Sequence, residues 1–421
     1  MALARGIESL LSPTITPVIV LEGARTVGKT VVAHRMIEAG VFQAYEDLSL
    51  DATRELATTD PQGWLSSLPD RVVIDEAQLA PRLPLYLKSL VDVPGTRRRY
   101  LLTGSAALGR TSLGGSDPLT GRAVRRRLWP LTSAELNSRP NRMATLIDDL
   151  FSGAITAKRQ HEDFDLMQVL QNGGFAPIAL GDMSDREKDL WVTAARVGIL
   201  TDHVLPDERF DAATAMRVLD GCLREPGGVL NITSLGQRLG ITPRTVDRYL
   251  DVLERRFMVH YLPNNATGLA RQTRARSKVH PIDTAFALES IRRGDPAKAS
   301  DRRIIGHVLE SWVVNQILPC VDLAPYEVSA FFWRDTGKDR NKPPERRNNE
   351  VDLVLVSGSN RAVGIEVKLT ETVALSDAGG LMSLNAERPL DRGYVLYSGT
   401  KTIRLADRIY ALPIAALFHD Q

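Results

Sequence analysis

Apolar, largely β-branched positions gather at Val18–Leu21 and give way at once to a glycine-rich turn and a helix-like run, Val31–Ala39. A short continuous apolar run bounded by turn residues predicts a strand buried on both faces. The same signal returns at Arg71–Ile74 and Arg99–Thr103, with a weaker one over Ala44–Leu50. Together they predict a parallel sheet with ligands outside its C-terminal edge. From Ser133 to Gly227 the pattern becomes helical. Leu166–Leu170, Asp189–Val197 and Ala212–Leu223 carry apolar residues near the helical period, with breaks at Pro140, Gly173-Gly174 and Pro206.

Asn231–Leu262 predicts a short helix over Ser234–Leu239, a turn over Gly240–Pro243, and a second helix over Arg244–Phe257. Val246, Tyr249, Leu250, Leu253 and Phe257 share one face of that helix, and Met258–Leu262 reads as a following strand. This is the pattern of a winged helix-turn-helix. Further on, Ile304–Leu318 reads as an amphipathic helix, and Glu327–Trp333, Glu350–Val356, Ala362–Lys368 and Tyr394–Ser398 as strands. Leu381–Asn385 and Ile403–Phe418 would complete and cover the second sheet.

Composition changes this picture little. With 421 residues, 43% hydrophobic and 25% charged, the chain is long enough for two or three domains. A net charge of +2 restricts any nucleic-acid surface to local patches. Arg122–Arg127, Arg271–Lys278 and Arg334–Arg347 are such patches, or solvated loops. Cys222 and Cys320 lack partners at metal spacing. No apolar run reaches about 18 residues, and the N-terminus has no secretory pattern. A cytoplasmic protein without membrane contact is the expectation.

The chemistry begins where the first strand ends. Gly23-Ala24-Arg25-Thr26-Val27-Gly28-Lys29-Thr30 is a phosphate-binding loop in its proper setting, strand before and helix after. Gly23 and Gly28 let the backbone wrap phosphates, Lys29 reaches the β- and γ-phosphates of ATP, and the Thr30 hydroxyl ligates Mg²⁺. Arg71–Asp75 delivers Asp75 to hold Mg²⁺ through water, and Glu76 to polarise the attacking water. Ser105, after the third strong strand, would sense the γ-phosphate. Arg122 could act on a γ-phosphate across a subunit interface, which would require a homo-oligomer; Arg125 and Arg126 compete for that role.

The loop, Val-Val-Ile-Asp-Glu-Ala-Gln, Leu-Leu-Thr-Gly-Ser and Thr-Gly-Arg…Leu-Trp-Pro-Leu-Thr resemble the bacterial and archaeal AAA-type ATPases that carry a restriction-endonuclease-like C-terminal domain. Ala24-Arg25 departs from the family's usual Pro-Arg and leaves the phosphate-contacting types intact. Gly173-Gly174-Phe175-Ala176-Pro177 is similar to a turn that recurs there.

A second constellation lies near the C-terminus. Period-two alternation sets Asp352 on the face opposite Val351, Leu353 and Leu355, and puts Glu366 and Lys368 on one face of the next strand. Charged residues in apolar strands need a reason. Asp352 and Glu366 could bind Mg²⁺ or Mn²⁺, Lys368 could orient water, and Glu310 could complete the metal site. The spacing closely resembles the PD-(D/E)xK nuclease signature.

The expected organisation is α/β: a phosphate-loop AAA-type domain over 1–135, a helical lid or connector over 136–227, a winged helix-turn-helix over 228–290, and a restriction-endonuclease-like domain over 300–421. DNA is the simplest common partner, touched at phosphates by Arg244, Arg248, Arg274, Arg276 and Lys278. The expected function is an ATPase coupled to a metal-dependent nuclease-like domain. The rivals are a nucleotide-dependent scaffold and a DNA-binding regulator, neither of which cuts.

Overall fold

The computed structural model describes residues 3–12, 16–105, 117–158, 160–161, 165–201, 210–264, 277–334 and 349–418. They form two compact units: Met1–Pro130 with Arg255–Phe257, and Leu131–Glu254 with Met258–Gln421.

In the first unit, β1 (Val18–Glu22), β2 (Ala44–Asp47), β3 (Arg71–Asp75), β4 (Arg99–Gly104) and β5 (Ala123–Arg127) make one sheet in the order β2-β3-β4-β1-β5. Every pairing is parallel. The central strands are apolar because both faces are covered, and Val18, Val20, Val72, Ile74 and Leu102 join Trp64, Leu65 and Leu87 in one cluster. The strand β5 is a departure from expectation, since its sequence (AVRRR) reads as a basic loop. An edge strand tolerates arginines where they can reach partners: Arg125 pairs with Glu22 and Asp117, and Arg127 lies 3.7 Å over the Trp129 ring.

The second unit holds the remainder, so the three expected downstream segments fold as one compact body. Its larger sheet is mixed and runs β13-β14-β12-β11-β10-β9. The strands are β9 (Val328–Arg334), β10 (Glu350–Ser357), β11 (Ala362–Lys368), β12 (Arg392–Tyr397), β13 (Ile403–Ala406) and β14 (Ile409–Pro413). Leu381–Asn385 lies in a helix, Gly379–Glu387. The helix Pro140–Ser152, expected in a lid, is bound to this sheet. Tyr394 donates from its hydroxyl to the Leu150 carbonyl at 2.7 Å, and Arg361 donates to that of Phe151 at 2.8 Å.

The helix Arg302–Leu323 is longer than expected and buried nearly all round, not amphipathic: Val308, Leu309, Trp312, Val313, Val314 and Ile317 are all covered. It is long and apolar enough to cross a membrane, and 67% of its most apolar window is buried inside the protein. Burial in the core accounts for that hydropathy.

Three helices, Ala212–Leu223, Ile232–Leu239 and Pro243–Arg255, accompany a small antiparallel sheet of β6 (Gly228–Val229), β7 (Val259–Leu262) and β8 (Lys278–Pro281), in the order β6-β8-β7. Thr242 caps the last helix, its hydroxyl accepting from the Thr245 N–H at 3.1 Å. The Gly173-Gly174-Phe175 turn has a clear physical cause. Asp283 accepts from the Gly174 N–H at 2.6 Å, Gly173 has φ +57°, and Phe175 packs against Phe286 with the rings tilted and centroids 4.9 Å apart.

A side chain on Gly173 would meet the Asp283 carboxylate at 1.9 Å, whereas Gly40, at φ +68°, has nothing within 4 Å. Gly40→Ala should cost about 1 kcal/mol from backbone strain alone. Gly173→Ala should cost more than about 2 kcal/mol in urea denaturation, because strain and collision add. Equal losses would show that the Asp283 contact carries no weight.

Candidate functional site

Glycine is required at both ends of the phosphate loop. A Cβ on Gly23 would lie 2.4 Å from the Leu128 carbonyl oxygen, and Gly28 has φ +98°. The helix Lys29–Glu38 starts there, so its free N–H groups face the loop. Ala24 and Val27 are buried and anchor the loop; Arg25 and Thr26 are exposed at its tip. Lys29 donates to the Gly23 and Ala24 carbonyls at 3.0 and 2.9 Å. Burial lowers its ammonium to about 8, partly offset by Glu76 and Asp75.

Because the sheet is parallel, Asp75 at the end of β3 and Ser105 just past β4 emerge on the same edge as the loop. Asp75 is 2% exposed and saturated with donors. Thr30 and Tyr45 donate to Oδ2 at 2.7 and 2.6 Å, while Thr103 and the Glu76 N–H donate to Oδ1. Burial and the Asp75 carboxylate raise the Tyr45 phenol well above its usual range. Glu76 sits at φ +55°, and the Gln78 amide bridges it to the Ser105 hydroxyl. The hard oxygens of Thr30 and Asp75 suit Mg²⁺.

Arg122 is not brought to this edge. Its carbonyl accepts from the Val18 N–H, at the start of β1 and roughly 15 Å of strand away from the loop. Its guanidinium pairs with Asp92, so in this domain it does not complete its own site. Arg125 is likewise engaged by Glu22 and Asp117.

Sequence reasoning missed Arg5, Tyr45, Thr103 and Gln78. Arg5 donates to the Val27 and Trp129 carbonyls at 2.9 and 2.6 Å, tying the N-terminal turn to the loop. Gln78 had a signal, two residues beyond Glu76; the others act through distant contacts that no local pattern carries.

In the second unit, Glu310, Asp352 and Glu366 fall in one charged cluster, but Glu310 and Asp352, with Glu350, close around a cation of the chain's own, and Glu366 pairs with Lys368. The Lys278 ammonium stands 2.5 Å from Glu350 Oε1, 2.6 Å from Glu310 Oε1 and 3.0 Å from Asp352 Oδ1. Lys278 is 2% exposed. This corrects two expectations. Lys278 is not a surface contact for DNA phosphates, because the short strand β8 turns it inward. The carboxylates do not frame an open metal site either, and among the described residues no group of His, Cys, Asp or Glu is arranged to hold a metal ion. The residues therefore do not fit a divalent ion in this arrangement.

The remaining electrostatics follow from burial. Burial alone would lower the Lys278 ammonium, but Asp352, Glu310 and Glu350 hold it well above its usual range. Burial and then Asp352 raise the carboxyls of Glu310 and Glu366. Lys368 donates to Glu366 Oε1 at 2.7 Å, and the Val367 N–H to Asp352 Oδ2 at 2.9 Å. The other Glu366 oxygen, Oε2, is buried without a hydrogen-bond partner.

Arg244 and Arg248 are exposed on the helix Pro243–Arg255, with exposed Asp247 between them. Arg274 and Arg276 lie outside the described residues.

Residues 16–137 match the family described as AAA domain, residues 163–296 a domain of unknown function (DUF8612), and residues 305–417 a domain of unknown function (DUF4143). The uncharacterized proteins Rv2008c of Mycobacterium tuberculosis and Mb2031c of Mycobacterium bovis are each 28% identical over 399 residues, spanning 94% of this chain and 80% of theirs. Among solved structures, the Walker-type ATPase PABY2304 of Pyrococcus abyssi is 14% identical with a TM-score of 0.40, covering 68% of this chain and 94% of that one. With its phosphate loop at the C-terminal edge of a five-stranded parallel sheet, the N-terminal domain is of the AAA ATPase type.

Proposed function

We propose that this protein is an ATP-hydrolysing switch that engages DNA, and that its C-terminal domain has a nuclease-like frame but does not cleave. The observation that carries hydrolysis is the contact of Thr30 with Asp75 at 2.7 Å, beside Glu76 and Lys29. On binding a triphosphate, Lys29 would leave the Gly23 and Ala24 carbonyls for the β- and γ-phosphates, whose oxygens the loop N–H groups also receive. Thr30 and Asp75 would hold Mg²⁺, which supplies charge neutralisation on the phosphates. Glu76 would polarise the attacking water once its contact with Gln78 loosens, and Ser105 would report the γ-phosphate through the same amide. A role for Arg122 requires a second copy of the chain.

The paired helices Ile232–Leu239 and Pro243–Arg255, with β6, β7 and β8, support a winged-helix reading. Arg244 and Arg248 would meet phosphates rather than bases, since Asp247 shares their face. Lys278 favours the non-cleaving reading over the nuclease one. The period-two placement of Asp352, Glu366 and Lys368 supports a restriction-endonuclease-like frame, but its cation position is filled.

Three measurements test this. Lys29→Ala should abolish ATP turnover and Glu76→Gln should reduce it by about 10²-fold or more; unchanged turnover in either would remove the hydrolytic assignment. Arg244→Ala with Arg248→Ala should flatten the salt dependence of DNA binding by about 1 to 2 in log–log slope. With Mg²⁺ or Mn²⁺ the wild-type protein should leave single-stranded, duplex and branched DNA intact, and cleavage lost in Asp352→Ala would restore the nuclease reading.

The Lys29 ammonium, held near 8 in the free protein, gives a pH dependence. Phosphates favour its charged form, so binding should take up a proton between pH 8 and the higher value of the complex. Nucleotide affinity should therefore fall as pH rises from 7 to 9. Calorimetry in buffers of different ionisation enthalpy should register the uptake, and Lys29→Ala should remove it.

A further inference from the structure

Three carboxylates of the second unit converge on one point, and the chain itself supplies the positive charge there. Glu310 comes from the helix Arg302–Leu323, and Glu350 and Asp352 from β10. Their oxygens lie 2.6, 2.5 and 3.0 Å from one nitrogen, Lys278 Nζ. The ammonium donates hydrogen bonds to Glu310 and Asp352 and forms an ion pair with Glu350. A divalent ion bound by the same oxygens would sit about 2.0–2.6 Å from each, in the space that Nζ fills. The two occupants exclude each other.

A second observation points the same way. Glu366, from β11, is 7% exposed and belongs to the same charged cluster, and its Oε2 has no hydrogen-bond partner. A buried carboxylate oxygen is normally satisfied, because leaving it bare costs desolvation energy with no return. Lys368 reaches only its Oε1. The Lys278 ammonium leaves this oxygen unsatisfied. Lys278 itself arrives on β8, which belongs to the small sheet beside the helix-turn-helix and not to the sheet that carries Asp352 and Glu366.

We propose that the Lys278 ammonium is the resident cation of this centre, standing where a divalent metal would stand, and that the centre binds a divalent metal only when that ammonium is removed. The inference rests on the nuclease-like reading of Asp352, Glu366 and Lys368. It deepens that reading by naming what keeps the domain from cutting. The side chain acts as a tether as well as a charge, since it fastens the small sheet to the carboxylates of the larger one.

The test uses full-length protein without nucleotide and Mn²⁺ as the probe, followed by electron paramagnetic resonance. Wild type should bind no Mn²⁺ that Asp352→Asn removes, and any shift of melting temperature between Mn²⁺ and EDTA should be the same in wild type and Asp352→Asn. Lys278→Met should gain one Mn²⁺ site, lost again in Lys278→Met with Asp352→Asn, whereas Lys278→Arg should gain none. Folding of each variant is read from circular dichroism. If Lys278→Met fails to fold, Lys278→Gln takes its place in the same titration, and Asp352-dependent Mn²⁺ binding by wild type still overturns the proposal. Asp352-dependent Mn²⁺ binding by wild type overturns the proposal and favours an active metal centre. A folded Lys278→Met without a gained site overturns it too, but leaves the non-cleaving assignment intact. ATP turnover and DNA affinity are measured separately, so neither failure touches the ATPase or DNA-binding readings.

Discussion

Carboxylates crowded into an apolar interior must share a cation or give up their charge, and the second unit is arranged around the first solution. Asp352 sits between Leu353 and Val351 in a strand covered on both faces, and Glu310 sits in a helix buried nearly all round. Moving such charges out of water costs several kcal/mol per ion unless partners are close and well aligned. Lys278 meets that condition for three of them, and Lys368 for Glu366. Breaking a buried set of this kind by removing one member costs about 3–5 kcal/mol, because the others are left uncompensated. The position of β8 against the C-terminal domain is therefore an electrostatic requirement as much as a packing one.

The phosphate site solves a related problem differently. Asp75 is as buried as Lys278, but it is satisfied by neutral hydroxyls and an N–H rather than by a fixed cation. Hydroxyls can exchange partners at small cost, so Thr30 is free to turn toward a metal without stranding a charge. Lys29, held by two carbonyls and lowered by burial, is likewise poised to gain from a triphosphate. One centre is set to accept a ligand and the other is already occupied.

This contrast explains what could be read from the sequence. The loop at Gly23–Thr30 and the strand ending at Asp75 are local patterns, and a parallel sheet places them together whatever the side chains between them do. Asp352, Glu366 and Lys368 were legible from alternation along two strands. Lys278 was not, since it belongs to a basic run, Arg271–Lys278, that reads as a surface patch. Only the pairing of β8 with β6 and β7 decides that Lys278, the first residue of β8, turns inward. β5 escaped notice for the same reason: arginines in a strand make sense only after Glu22, Asp117 and Trp129 are in place. Charge patterns are read as solvated by default, and long-range ion pairs are what that default overlooks.

The occupied centre also constrains how the two halves of the second unit influence each other. Lys278 and a divalent ion compete for one set of oxygens, so their binding is negatively coupled. Coupling of this kind is reciprocal. Anything that draws β8 away from the carboxylates raises the affinity of the centre for metal. By the same factor, metal at the centre weakens the hold of the C-terminal domain on β8. The strand pairs with β7, which follows the helix that carries Arg244 and Arg248, so the surface proposed to meet DNA and the centre proposed to be closed share one small sheet. Hydrophobic residues of similar volume would fill this space at equal or lower energy, so the three carboxylates around Lys278 hold β8 in place as an electrostatic tether and are more than core filling.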